Sequence, residues 1–261
     1  MKSAAVVTGC AGFIGSCLVD NLLKDKISVI GIDNLRSGRI ENLSSALEHS
    51  DFNFYNLDVC NNDLDEVSVH SADTIFHLAA ISSVKLSVEN PKLVHCANVT
   101  GTLNVLELAR RIGATRVVFT SSAAVYGKPE RMPVTEETSL TPLSPYAASK
   151  IAAEEYLRAY GNAFELEPVI LRLFNVYGPR QSFSEYSGVI SIFINQALRN
   201  EEIRIEGDGL QTRSFVHVDD VVKALIQAAK APDAVMENIN ISSCDSISIL
   251  DLARRIQNSI S

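Results

Sequence analysis

Ser3-Ala4-Ala5-Val6-Val7-Thr8 runs directly into Gly9-Cys10-Ala11-Gly12-Phe13-Ile14-Gly15. From Ser16 to Lys24 the chain is apolar at helical spacing, and a second β-like run, Ile27 to Ile32, stops at Asp33. The order is strand, glycine turn, helix, strand, acid. Each glycine has a physical task. Gly9 lets the chain turn sharply at the strand end, Gly12 lets backbone approach a pyrophosphate, and Gly15 lets the helix pack closely on the strand. The first amides of the helix, among them those of Phe13 and Ile14, offer unpaired N–H groups and a partial positive charge to phosphate. Asp33 stands eighteen residues after Gly15, where a carboxylate can accept both hydroxyls of an adenosine ribose. That carboxylate repels a 2′-phosphate, so the stretch predicts NAD rather than NADP. A glycine triplet alone is a weak sign; its strand–helix–strand–acid setting makes it a dinucleotide site.

The 261 residues and an apolar fraction of 46% support one large α/β unit or such a unit with an added lobe. A net charge of −8 without a basic run excludes a nucleic-acid or anionic-membrane partner. No apolar stretch has the length of a membrane span. Met1-Lys2 leads straight into the first strand, so we expect no signal peptide and a cytoplasmic protein. Cys10, Cys17, Cys60, Cys96 and Cys244 are scattered and predict reduced thiols, and no spacing predicts a metal site.

Further along, a polar loop contains Asn34, Arg36, Ser37, Gly38 and Arg39. Its arginines either reach an adenosine phosphate or are simply solvated. A strand over 52–57 ends at Asp58-Val59, where the acid bonds an adenine amino group or caps a helix. Thr74 to Ala80 reads as a buried strand running into small residues, with Leu78, Ala79 and Ala80 leaving room for a cofactor and His77 structural. Pro91 opens a long helical pattern to Gly113, in which Asn98 bonds nearby backbone or positions a cofactor-linked water. A strand over 116–120 leads to Ser121-Ser122. Residues at the carboxyl ends of parallel strands line the ligand crevice, so these serines are candidates for a substrate hydroxyl or local caps. Tyr146 and Lys150 open a helix and share one face. A nearby ammonium, together with the charge of an oxidised nicotinamide, lowers the pKa of a phenol, which makes Tyr146 a candidate base. A sixth strand covers 168–174. Beyond it the alternation weakens: a polar loop 182–188, a helix 189–199, a short strand 203–205, an alternating strand 212–218 with Asp219 as N-cap, a strand 237–241, and a last helix 249–260 capped by Ser248.

These segments together resemble the extended short-chain dehydrogenase/reductase family, and within it the NAD-dependent nucleotide-sugar epimerases of the UDP-glucose 4-epimerase type. The marks are Gly9-x-x-Gly12-x-x-Gly15, Asp33-Asn34-Leu35-x-Ser37-Gly38, Asp58-Val59, His77-Leu78-Ala79-Ala80, Asn98-Val99-x-Gly101-Thr102, the run Ser121 to Gly127, Tyr146-x-x-x-Lys150, the run Leu171 to Arg180, and Gly207 to Asp220. The resemblance covers nearly the whole chain in the family's order. It implies a Rossmann-type doubly wound parallel sheet over 1–174 that binds NAD, and a smaller substrate-binding lobe over 175–261, partly interleaved with it and incomplete at its C-terminus. It implies a homodimer through the helices near 92–112 and 146–160, and a UDP-hexose as substrate. It implies that Tyr146 takes the C4 hydroxyl proton with help from Ser122, and that Lys150 holds the nicotinamide ribose. The transient 4-keto sugar is then reduced on its other face. Asn175 and Arg213 are implied to hold the diphosphate, and Lys85 either faces the sugar pocket or is solvated. The positions that carry an acid in dehydratases and decarboxylases of this family are Ala123 and Ala124 here, which disfavours elimination. Ser214 stands where the family usually has aspartate.

Overall fold

A computed structural model of the chain describes residues 3–61, 64, 65, 67, 69, 71–181 and 188–260. The opening stretch folds as β1 (Ala4–Thr8), α1 (Phe13–Lys24) and β2 (Ser28–Ile32). Then follow α2 (Ser44–Leu47), β3 (Phe52–Tyr55), β4 (Thr74–His77), α3 (Val84–Glu89), α4 (Pro91–His95), α5 (Gly101–Ile112) and β5 (Arg116–Ser122). The second half adds α6 (Pro145–Phe164), β6 (Glu167–Leu173), β7 (Asn175–Tyr177), α7 (Val189–Leu198), β8 (Thr212–Arg213), β9 (Phe215–His217), α8 (Val218–Lys230), β10 (Asn238–Ile241), β11 (Ile247–Ser248) and α9 (Ile249–Ile260).

Seven strands form one sheet in the order β10-β6-β5-β4-β1-β2-β3, and every pairing in it is parallel. Both faces are covered, which is why β1 and β5 are apolar without alternation. Val7, Leu18, Leu22, Phe76 and Leu225 pack under α1 and α8, and Val6, Ile75, Val105, Phe119 and Leu157 pack under α5 and α6. The strand order reverses between β1 and β4, so their carboxyl ends part into the crevice where such sheets bind ligands. Phe193, Ile249, Leu252 and Ala253 form a separate small core where α7 meets α9.

Several sequence expectations change in the fold. Asn238–Ile241 does not stay with the C-terminal elements; it pairs with β6 as the edge of the main sheet. Ile203-Arg204-Ile205 is not a strand; Ile203 and Ile205 lean on the small core instead. The alternating run at 212–218 splits at Ser214, with β8 pairing β11 and β9 pairing β7. The cap of α8 is His217, whose Nδ1 accepts the Asp219 amide at 3.2 Å, and Asp219 lies in the first turn. Ser248 does cap α9, accepting from the Asp251 amide and donating back to its carboxylate. The polar loop expected over 182–188 lies, up to 187, outside the described residues.

Candidate active site

The glycine loop forms its cradle by close contact. Gly9 has φ +71, and a Cβ there would sit 2.7 Å from the Ala79 amide nitrogen and 2.9 Å from the Leu78 carbonyl carbon. At Gly15 a Cβ would run into the Gly9 carbonyl. Gly12 precedes α1 with no side chain capping that helix, so its first amides face the crevice without a side-chain acceptor. Asp33 is buried; its carboxylate accepts the Ala11 amide at 3.0 Å and the Leu35 amide at 2.8 Å. Burial pushes the Asp33 carboxyl up, while those two amides pull it back. The loop 34–39 folds over the glycine turn: Gly38 touches Ala11, and the Arg39 amide donates to the Ala11 carbonyl. Ser37 lies on the same loop. These features, a backbone cradle, an uncapped helix start and a fixed carboxylate, fit a dinucleotide.

Asp58 is half-buried at the end of β3, and among the described residues its carboxylate caps no helix. It accepts from the Cys60 amide at 2.9 Å and from Asn34 Nδ2 at 2.8 Å, which ties the ends of β2 and β3 together. Val59 is turned inward against Gly101. Leu78 and Ala79 are fastened to β1: Thr8 accepts their amides through its carbonyl and its hydroxyl. Thr8 in turn donates to His77 Nδ1 at 2.7 Å. His77 Nε2 donates to Thr102, which donates to the Asn98 carbonyl. His77 is therefore a neutral strut beneath Ala79 and Ala80, and burial, with the charge of Lys150 second, pushes it down to about 3.

Between α4 and α5 one turn of π-helix, Cys96–Thr100, rotates Asn98 inward. Asn98 is almost fully buried. Its Oδ1 accepts the Ile81 amide, and its Nδ2 donates to the Ile81 carbonyl and to Ser149 Oγ. Both amide hydrogens thus have protein partners. Of the two readings of Asn98, the bond to nearby backbone is present, and it makes the side chain a clamp between the loop after β4 and the helix of the tyrosine.

Ser122, Tyr146 and Lys150 come together at the carboxyl end of β5. Ser144 caps α6 by accepting the Ala147 amide, and Pro145 sets its first turn. Ser122 Oγ accepts the Ala124 amide at 3.2 Å, capping the turn after β5, and the hydroxyl lies close enough to the Tyr146 phenol to favour its charged form. Lys150 Nζ donates to the Thr120 carbonyl at 2.8 Å and lies 4.6 Å from the centre of the Phe119 ring. In the chain alone the expected lowering of the phenol by Lys150 does not appear. Burial dominates and pushes Tyr146 up, with Ser122 pulling it partway back. Burial also pushes Lys150 down to about 7, opposed by the Glu154 carboxylate. A dry site raises a neutral acid and lowers a cationic one for the same reason, the cost of desolvating charge.

A cavity of about 530 Å³ opens between the loop after β4 and β7. Lys85 and Asn175 line it, together with Ser82, Ser83, Gln181 and Phe215, to which the sequence assigned no role. Asn175 Nδ2 donates to the Ser214 carbonyl at 2.9 Å. Arg213 is not among the lining residues: it is exposed on β8 and donates to the Thr212 carbonyl. Gln181 stands just beyond one quoted motif and Phe215 within another, but only the pairing of β7 with β9 brings them to one wall.

Residues 5–242 match the family described as the NAD dependent epimerase/dehydratase family. The chain is 46% identical over 225 residues to UDP-glucose 4-epimerase of Mycolicibacterium smegmatis, covering 85% of this chain and 72% of that protein. UDP-N-acetylglucosamine 4-epimerase from Methanobrevibacter ruminantium, solved with UDP-N-acetylmuramic acid, superposes with a TM-score of 0.93 at 38% identity, over 99% of this chain and 82% of that one. UDP-glucuronic acid 4-epimerase from Bacillus cereus, solved with UDP-glucuronic acid and NAD, gives a TM-score of 0.90 at 32% identity, over 98% and 82%.

Proposed function

The chain belongs to the NAD dependent epimerase/dehydratase family, and from that premise we propose that it inverts C4 of a nucleotide-activated hexose, with UDP-glucose and UDP-galactose as the substrate pair. The observation that carries this reading is the meeting of half-buried Ser122 with buried Tyr146 and Lys150 at the carboxyl end of β5. Gly9, Gly12, Gly15 and Asp33 hold the cofactor, with the helix-start amides of Phe13 and Ile14 on its phosphates. NAD, when bound, supplies the acceptor and then the donor of the C4 hydrogen. Tyr146 removes the proton of the C4 hydroxyl and later returns it. Ser122 holds that hydroxyl in line with the phenol. Lys150 stays fixed by Thr120 and Phe119, and its positive charge favours the phenolate once a sugar and cofactor close the site.

The division of labour we propose is a cofactor-binding part over 1–174 and a substrate lobe over 175–261 that sends β10 back into the sheet. Lys85 and Asn175 face the nucleotide sugar from the cavity. No carboxylate stands at 123 or 124 to drive elimination, which favours epimerisation over dehydration. We also propose a homodimer through α5 and α6, where Tyr156 and Phe164 are exposed. A monomer by light scattering would count against it. Among the described residues no helix is long and apolar enough to cross a membrane.

The test is conversion of UDP-galactose to UDP-glucose by purified protein, with UDP-N-acetylglucosamine and UDP-glucuronate as further substrates. Interconversion without a net change in nicotinamide absorbance is expected. Tyr146→Phe should abolish turnover yet keep bound NAD. An inert, NAD-loaded wild-type protein overturns the reading.

A further inference from the structure

Two turns beyond Tyr146 and one beyond Lys150, the same face of α6 carries Glu154. Its side chain is 0% exposed. Arg172 on β6 is 2% exposed and grips both carboxylate oxygens, Nε to Oε1 at 3.1 Å and Nη2 to Oε2 at 2.7 Å. Ser121 donates its hydroxyl to Glu154 Oε1, and Ser121 is also the register partner of Arg172 between β5 and β6. Arg172 Nη1 donates to the Tyr126 hydroxyl at 2.9 Å, which donates to Asn240 Oδ1 at 2.7 Å. One buried carboxylate thus joins the catalytic helix to the strand residue directly before Ser122.

A buried ion pair gains little net stability over well-packed apolar residues of the same size. Its energetic consequence is local. We propose that Glu154, locked by Arg172, is a positioning residue for the epimerisation: it fixes the Ser121-Ser122 strand end against α6 and is the counter-charge that keeps Lys150 a cation. This rests on the function proposed above.

The surroundings of Lys150 leave that second task to Glu154. The titratable and charged groups that face it are Tyr146 and Glu154 on its own helix and His77 on β4. Behind Glu154 stand Arg172 on β6 and, at 3.4 Å, Arg158. β5 presents only the Thr120 carbonyl and the Phe119 ring, and the helix segment 96–112 presents the uncharged Asn98 and Thr102 to this side. Of these, only Glu154 is a fixed negative charge. Burial drives Lys150 towards its neutral form, and Glu154 opposes that.

The experiment compares wild type with Glu154→Gln and Ser121→Ala. Turnover of UDP-galactose is followed against pH, and the Lys150 Nζ resonance of 15N-lysine-labelled protein is titrated separately, assigned by its absence from Lys150→Met. In E154Q the alkaline limb of kcat and the Nζ titration should both move to lower pH by about one unit, with KM unchanged. A purely structural role would lower kcat equally at all pH. S121A keeps both charges; its kcat should fall by about tenfold with the alkaline limb in place. S121A reads the positional half even if E154Q does not fold. A folded E154Q whose Nζ titration matches wild type, or an S121A with wild-type kcat, overturns the proposal. The Nζ titration needs no turnover. A wild-type protein inert on all nucleotide sugars therefore refutes the function alone.

Discussion

Asn98 and Ser149 join two elements far apart in sequence. Asn98 Nδ2 donates to Ser149 Oγ at 2.9 Å, and Ser149 passes the bond on to the Tyr146 carbonyl at 2.7 Å. The same amide holds Ile81 at both its N–H and C=O. One wall of the cavity and the helix of the catalytic tyrosine are therefore set by a single side chain. Asn98→Ala removes one buried and two part-buried bonds and takes away the partners of the Ile81 backbone. We expect a loss of about 2–4 kcal/mol in urea unfolding, with kcat reduced more than KM is raised. Unchanged stability would mean that the clamp is slack.

Lys150 costs stability where it is most useful. Its folded pKa of about 7 lies below the unfolded value of about 10.4. The penalty is full below about pH 7 and fades as pH rises towards the unfolded value. Lys150→Met should therefore be inactive yet more stable than wild type. After the lost bond to Thr120, the gain is expected at about 2 kcal/mol at pH 6, shrinking at pH 9.5. Denaturant unfolding of nucleotide-stripped protein at the two pH values measures it. A variant less stable than wild type at pH 6 would contradict the argument.

His77 carries a consequence of the same sign in a lower pH window. Held neutral down to about pH 3, it does not take up the proton that the unfolded chain binds near pH 6.5. Stability from this group is intact above pH 6.5 and is lost as pH falls from there towards 3. His77→Gln should start less stable but lose stability less steeply between pH 6.5 and 4, by about 1.4 kcal/mol per pH unit. Parallel curves for the two proteins would show that His77 is not the titrating group.

The glycine loop separates folding from binding. Gly12 has φ −73 and ψ 175, which any residue tolerates, and its Cβ would lie 3.1 Å from the Gly9 carbonyl. Gly12→Ala should fold and lose NAD, because the methyl group stands at the uncapped helix start. Gly15→Ala should fail to fold, since its Cβ would overlap the Gly9 carbonyl. Circular dichroism and the NAD content of purified protein tell the two cases apart. Retained NAD in G12A would move the phosphate site elsewhere.

The stretch from Ser3 to Asp33 carried its own structure, because each of its features acts within a few residues: a strand of buried β-branched residues, glycines at a turn, a helix start, an acid at the next strand end. The shared face of Tyr146 and Lys150 was legible for the same reason, since helical spacing alone sets it. The short run 203–205 was misread because packing against Phe193 looks in sequence like a strand. What tertiary structure alone decided is who stands opposite whom. It gave Asn98 the backbone of Ile81 and the hydroxyl of Ser149 as partners, left Arg213 outside the cavity, brought Gln181 and Phe215 into it, and set Glu154 against Arg172 and Ser121. It also set burial, which raises the phenol, as the first influence on Tyr146 in the chain alone. Spacing along a helix shows that an ammonium is near a phenol. How much water is excluded around both depends on every strand and helix packed over them.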